Sequence, residues 1–197
     1  QLTKDFFIDM AHRTGRGGGY NNEEVHFDAD HHFDDLIIEY PNSLDDAFCD
    51  HLIDKFEKDD RIIDGEVGSG YMPEVKQSKD LMLSQLSDWN EEDLKICSIL
   101  TNANQKYLND ILPKFDLGAA ASSFEDTGYQ MQKTVPGGFY KWHNDFSCFY
   151  DEKEKEVRPR LFTFIWYLND IDEENDGYTE FISGKRIQPE KGKLLMF

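Results

Sequence analysis

The hydrophobic rhythm of the chain changes once, near residue 116, and that change divides it. Residues 36–40, Leu-Ile-Ile-Glu-Tyr, form a short apolar run closed by Pro41, which predicts a strand. Ser43 stands where an N-cap would stand. Leu44, Ala47, Phe48, His51, Leu52, Lys55 and Phe56 follow at helical spacing, predicting a helix over residues 43–58. Residues 61–79 are rich in Gly, with Ser and Pro, and predict a long loop or loose hairpin of the kind often used as a lid. A second helix is predicted over residues 90–112, carried by Leu94, Cys97, Leu100, Tyr107, Leu108 and Ile111 and ended by Pro113.

Beyond Asp116 the period shortens to that of strands. Residues 129–134 alternate, Pro136-Gly137-Gly138 turns, and residues 139–146 continue extended. Residues 160–168 are aromatic and β-branched and make the strongest strand. After an acidic turn at 169–177, short strands are predicted at 178–182, 186–188 and 193–197. Helices first, then closely spaced antiparallel strands, predict an α+β fold: a jelly roll supported by N-terminal helices. Residues 1–34 read differently. A short helix could span residues 2–12, but the rest is Gly-rich and acidic and reads as a flexible segment leading into a domain over residues 35–197.

Composition narrows the partners. A formal net charge of −19 and a pI near 4.5 argue against nucleic acid and against anionic membranes, both of which need clustered Lys and Arg. The acidity favours solubility first and a basic partner second. No window approaches ~18 apolar residues, so no membrane span is predicted. Cys49, Cys97 and Cys148 are odd in number, with no CxxC pair, so a reducing, cytoplasmic setting is expected rather than a disulfide framework. The chain starts at Gln1 and stops at Phe197 inside an apolar run, and is expected to be a piece of something longer.

The candidate chemistry lies at Tyr140-Lys-Trp142-His143-Asn-Asp145. On an extended segment residues i and i+2 share a face, so His143 and Asp145 project together. An imidazole and a carboxylate on one face make two corners of a 2-His-1-carboxylate site for Fe(II), which leaves other positions open. Alone, His-x-Asp is a weak signal, and an exposed His near an exposed Asp is the simpler account. Helix packing is likewise the simpler role for His51. The His31-His32 pair sits where nothing fixes ligand geometry. A zinc site adding Cys148 is disfavoured because Cys148 has the wrong strand parity.

The surroundings strengthen the signal. Downstream come Arg160-Leu-Phe-Thr163-Phe-Ile165-Trp-Tyr167-Leu-Asn-Asp, then Asp176-Gly-Tyr-Thr-Glu-Phe181, then Pro189 and Lys191-Gly-Lys-Leu-Leu-Met-Phe197. That ordered series resembles the prolyl 4-hydroxylase-like branch of the iron(II)/2-oxoglutarate-dependent oxygenases. It extends less securely to residues 36–58 and 73–80. The resemblance implies a double-stranded β-helix and Fe(II), 2-oxoglutarate and O2 as cofactors, with ascorbate an optional addition. It implies hydroxylation of a substrate with decarboxylation of 2-oxoglutarate to succinate. Prolyl residues of a peptide or protein are the family-based substrate, with small molecules left open; oligomeric state is not legible.

Carried over by position, the resemblance makes His143 and Asp145 metal ligands and Tyr167 the hydroxyl that reaches the distal carboxylate of 2-oxoglutarate. Thr163 and Ile165, of the same parity, would line that pocket. Arg160, Tyr140 and Trp142 are substrate-side candidates, although each could simply pack or pair. Two departures stand out. Thr134-Val135 occupies a place where many members have an aromatic residue before the Pro-Gly turn, and Asp176-Gly177 replaces a Gly-Gly pair. The family's second histidine and its basic co-substrate partner are expected beyond Phe197, so this chain alone is expected to be inactive, with an open third metal corner. The competing reading is a jelly-roll binding module that has lost its metal site.

Overall fold

The computed structural model describes residues 33–111, 113, 125–151 and 155–197. The expected N-terminal segment therefore lies, apart from residues 33 and 34, outside the described residues. The regular elements are strand β1 (Ile38–Tyr40), helix α1 (Asp46–Phe56), strands β2 (Ile63–Asp64) and β3 (Lys79–Leu81), and helix α2 (Asn90–Ile111). Strands β4 (Met131–Lys133), β5 (Cys148–Asp151), β6 (Glu156–Pro159) and β7 (Phe164–Trp166) follow. The last are β8 (Thr179–Glu180), β9 (Arg186–Ile187) and β10 (Leu194–Met196).

Every strand pairing among these elements is antiparallel. The sheet that organises the rest runs β1-β10-β7, with Ile38 opposite Met196 and Met196 opposite Phe164. Backbone bonds lengthen its second ladder past the strand ends: Thr163 and Phe197 exchange N–H···O bonds at 2.8 and 3.0 Å, and Tyr167 N–H donates to Lys193 O at 3.0 Å. β2-β3-β4, β5-β6 and β8-β9 form smaller sheets. The two helices and the antiparallel strands match the expected α+β layout, but the strands are shorter than the apolar runs that announced them.

Alternation along the central sheet gives it two interiors. Ile38, Tyr40, Phe164, Trp166, Leu194 and Met196 face the helices and pack with Leu44, Phe48, Leu52 and Phe56 of the α1 region and Ile96, Leu100, Tyr107 and Ile111 of α2. Ile37, Ile165, Tyr167, Leu195 and Phe197 face the other way, into a second cluster with Ile187 and Phe181. Leu194, Leu195 and Met196 are all fully buried, as a central strand covered on both faces must be. Two hydroxyls tie the first strand region to the long helix: Tyr107 donates to Leu36 O at 2.8 Å and Tyr40 to Asp110 Oδ2 at 2.9 Å.

The start of α1 differs from expectation. Asp45, not Ser43, is the N-cap: its carboxylate accepts from Phe48 N–H at 2.8 Å. Ser43 is instead recruited by the sheet, its hydroxyl accepting from Trp166 Nε1–H at 3.0 Å, while Ser43 and Leu44 N–H both donate to Gly192 O. Capping chemistry suits either residue; a contact far away in sequence decided which one caps.

Gly192 is therefore a junction. Its N–H donates to Tyr167 O at 2.9 Å, its φ is +78°, and a Cβ there would lie 2.4 Å from Leu44 O. A positive φ alone costs a non-glycine residue ~1–3 kcal/mol, and the collision is with backbone. Gly192→Ala is expected to lower the urea midpoint by the equivalent of at least ~2 kcal/mol with an unchanged m-value; an unchanged midpoint would refute this account of the junction.

Asp176 carries the opposite lesson. It sits at φ 55°, ψ −131°, a region that suits glycine, where the resemblance has Gly in place of Asp. Asp176→Gly is expected to stabilise the protein by ~1 kcal/mol, raising the melting temperature by ~2–4 °C; a lower melting temperature would contradict it.

Under the helices Asp59 accepts from Arg61 Nε and Nη2 at 2.8 and 2.6 Å and from Trp89 Nε1–H at 2.9 Å, and Arg61 also bonds Asp88. Hydrogen bonds from Arg61 hold the Asp59 and Asp88 carboxyls below the usual carboxylate range. Groups with depressed folded pKa stabilise fully above the unfolded value near ~4 and lose that contribution as pH falls through the folded one. Arg61→Ala is thus expected to reduce the loss of stability between about pH 4 and pH 2, measured as melting temperature against pH; parallel wild-type and variant curves would count against the network.

Candidate functional site

The site forms where two irregular segments are laced together beside β7. Gln77 N–H donates to Phe139 O at 2.7 Å, Lys141 N–H to Val75 O at 2.9 Å, and Lys76 bridges Tyr140. Gly138 permits the approach, since a Cβ there would stand 2.7 Å from Gln77 O and 2.9 Å from Val135 O. The lacing stops at Lys141. The chain bends at Trp142 and regular pairing resumes only at Cys148, so the continuous strand expected over residues 139–146 is not formed. Close main-chain packing against residues 75–77 replaces it, a partner that strand propensity does not reveal.

His143 and Asp145 meet even so. Nε2 lies 3.2 Å from Oδ1, with the two side chains 36 % and 31 % exposed. His143 Nδ1 is 2.8 Å from Lys141 O. A carbonyl can only accept, so Nδ1 carries the hydrogen and Nε2 is the nitrogen turned toward the carboxylate. The hydrogen bond to Asp145 raises the His143 pKa against the opposing effect of burial. Asp145 is lowered first by His143, against burial, then by a hydrogen bond with Thr163 and by the charge of Arg160. Nε2 and Oδ1 are thus placed to share a cation, a proton or a metal ion. An imidazole nitrogen anchored through its other N–H, with a carboxylate oxygen beside it, is a donor set that fits two positions of a first-row divalent ion.

The remaining expected residues distribute as follows. Thr163 touches Asp145 and stands on the same sheet face as Ile165 and Tyr167. The Tyr167 hydroxyl lies 2.6 Å from Thr179 Oγ1, and burial raises its pKa. Tyr140 stacks on His143 with ring centroids 3.6 Å apart and planes 15° from parallel. Tyr140 and Trp142 are exposed, and Arg160 lies near enough to act on Asp145.

Other histidines and cysteines stand elsewhere. His51 is on α1, 2.6 Å from Glu92 Oε1 and stacked on Phe48, in the helix layer. Cys148 is exposed on β5, and all three cysteines are free. His12, His26, His31 and His32 lie outside the described residues. Among the described residues no group of three or more His, Cys, Asp or Glu side chains is gathered to hold a metal ion, and no helix is long and apolar enough to cross a membrane.

Sequence reasoning passed over Lys76, Ser78 and Asp80, which are buried beside Tyr140. Their signal is a period of two with the polar residues inside, and a search for apolar alternation discards it.

Comparison with known proteins bears on this geometry. Residues 129–197 match the family model described as the 2OG-Fe(II) oxygenase superfamily. No curated protein matches. Among solved structures, the chain is similar to the viral collagen prolyl hydroxylase of Paramecium Bursaria Chlorella virus-1 in its 2OG complex. The TM-score is 0.53 at 20 % identity, over 82 % of this chain and 77 % of that one. A truncated form of the same enzyme gives 0.50 at 21 % identity, over 82 % and 71 %. The chain is similar in sequence over residues 129–197 to the 2OG-Fe(II) oxygenase superfamily, and in fold over most of its length to the viral collagen prolyl hydroxylase.

Proposed function

We propose that the protein is an Fe(II)- and 2-oxoglutarate-dependent dioxygenase of jelly-roll fold that hydroxylates prolyl residues of a peptide or protein. The observation that carries this reading is the convergence of His143 Nε2 and Asp145 Oδ1 to 3.2 Å. Fe(II), 2-oxoglutarate and O2, when bound, supply the oxidative chemistry that turns 2-oxoglutarate into succinate and CO2 and hydroxylates the substrate.

The chain's own part is to hold and orient. His143 and Asp145 take two coordination positions, and Lys141 O fixes the imidazole through Nδ1. His143 first, and Thr163 and Arg160 after it, favour the ionised Asp145 carboxylate against its burial. The Tyr167 hydroxyl would exchange its bond with Thr179 for the distal carboxylate of 2-oxoglutarate, beside Ile165, in a half-buried position where water competes less. Tyr140 and Trp142 offer exposed aromatic surface suited to an extended peptide, and Arg160 stands near enough to Asp145 for its charge to act there. Support for a prolyl substrate comes from the similar viral enzyme, which is a collagen prolyl hydroxylase. Ascorbate finds no support in the comparisons.

The test is turnover by the complete gene product with Fe(II), 2-oxoglutarate and proline-rich peptides, scoring succinate and hydroxylated peptide together. His143→Ala and Asp145→Ala are each expected to reduce both products by at least ~100-fold, because they remove a metal bond rather than an outer contact worth ~10–100-fold, with the circular dichroism unchanged. Full activity in either variant would exclude the metal assignment. A folded wild type that makes no succinate would favour a binding module.

A further inference from the structure

The polar pocket beneath Tyr140 has no task in the reading above. Lys76 and Asp80 retain only 4 % and 3 % exposure. The Lys76 ammonium donates to Asp80 Oδ2 at 2.5 Å and to Glu66 O at 3.4 Å. Ser78 Oγ–H donates to Asp80 Oδ1 at 2.8 Å, and the Gln130 amide donates to Oδ2. Removing an ammonium and a carboxylate from water is costly, and apolar replacements of similar volume are commonly as stable. Stability alone therefore does not account for the pair.

Its position does suggest a use. Lys76 Nζ stands 5.3 Å from the centroid of the Tyr140 ring, within cation–π range. That same ring lies nearly parallel to the His143 imidazole, 3.6 Å away between centroids. The backbone bridge between Lys76 and Tyr140 fixes cation and ring relative to each other through the main chain as well. His143 is otherwise held at two atoms, Nδ1 by Lys141 O and Nε2 by Asp145. Those two bonds, one of them at 3.2 Å, still let the ring rock by small rotations about its Cα–Cβ and Cβ–Cγ bonds. A stacked ring narrows that range, and a buried cation paired with Asp80 lies against the stacked ring.

We propose that the buried Lys76–Asp80 pair is a positioning device that sets the plane of the His143 imidazole through the ring of Tyr140, a role that rests on reading His143 as a metal ligand. Asp80 anchors the ammonium, the ammonium holds the aromatic ring, and the ring orients the ligand. The side-chain hydrogen bonds of Lys76, Ser78 and Asp80 run to one another, to Glu66 O and to Gln130. The Lys76 charge, which by itself disfavours a cation at His143, is the one direct effect of the pair on the imidazole.

The experiment uses the full protein and two readouts. In the metal-free protein, the NMR shifts of the His143 ring protons report stacking, through the upfield displacement caused by Tyr140. Titration with Co(II), followed by visible absorption, reports metal affinity. Tyr140→Leu calibrates the loss of stacking, while Tyr140→Phe keeps the ring and should keep the shift. Lys76→Met is expected to remove most of the His143 displacement and to weaken Co(II) binding ~10-fold, with Lys76→Arg restoring both. If Lys76→Met does not fold, Asp80→Asn, which removes the anchor's charge at constant shape, must produce the same changes.

A lower melting temperature with His143 shifts and Co(II) affinity unchanged would make the pair merely structural and overturn the proposal. A wild type whose His143 shift responds to Lys76 but which binds no Co(II) would support the positioning link and count against the metal reading alone.

Discussion

The structure depends on one sheet having two insides. Strand β10 runs between β1 and β7, and all three of its residues are buried, Leu194 and Met196 against the helices and Leu195 in the opposite cluster. The helix face carries the larger core, and the opposite face carries Thr163, Ile165 and Tyr167 toward the site. A one-residue slip of β7 would exchange the two faces and send Thr163, Ile165 and Tyr167 toward the helix core. Gly192 guards that register at the end of the ladder. It binds Tyr167 on one side and the Ser43–Leu44 turn on the other, where no side chain would fit.

The site draws on parts far apart in sequence. Asp145 meets Thr163 of the sheet region, while the segment before His143 is laced to residues 75–77. Residues 143–146 belong to no strand or helix, and the β5–β6 ladder reaches back only to Ser147, whose carbonyl accepts from Arg160 N–H at 2.8 Å. Their placement comes from neighbours, which is the usual arrangement when a functional loop is set by a rigid scaffold.

Charge is divided by depth. The chain has a formal charge of −19, yet two of its lysines are inside. Lys76 is neutralised by Asp80; Lys193, beside the tyrosine face, is held by Glu39 at 2.8 Å, Gln188 O at 3.1 Å and Glu190 at 2.5 Å. Each stands next to a residue of the proposed site, Tyr140 in one case and Tyr167 in the other. A buried cation is tolerated only when paired and hydrogen-bonded, and both are. The acidic excess lies mainly outside, where it favours solubility.

Local pattern was enough for the two helices, for the strands of the central sheet and for the parity of the strongest strand, but it missed the β5–β6 hairpin. Helical spacing marked α1 and α2, and an aromatic and β-branched run marked β7, because burying one face imposes its period directly on the residues, while a short apolar run marked β10. Parity likewise set Thr163, Ile165 and Tyr167 apart from Phe164 and Trp166, and His-x-Asp proposed a pair that the fold brings together. What remained hidden depended on partners distant in the chain. Ser43 and Asp45 are equally good caps by local chemistry, and a bond from Trp166, on the far side of the sequence, assigned them. Residues 139–146 have strand composition but lie against a loop instead of a ladder, since a strand exists only where another backbone accepts its bonds. Lys76 and Ser78 fall in the stretch read as a long loop or loose hairpin, and nothing local shows that they are buried with Asp80 beside Tyr140 and Gln130. A charged residue's burial is decided by whether its counter-charge and donors arrive in space, and that only the tertiary structure could determine.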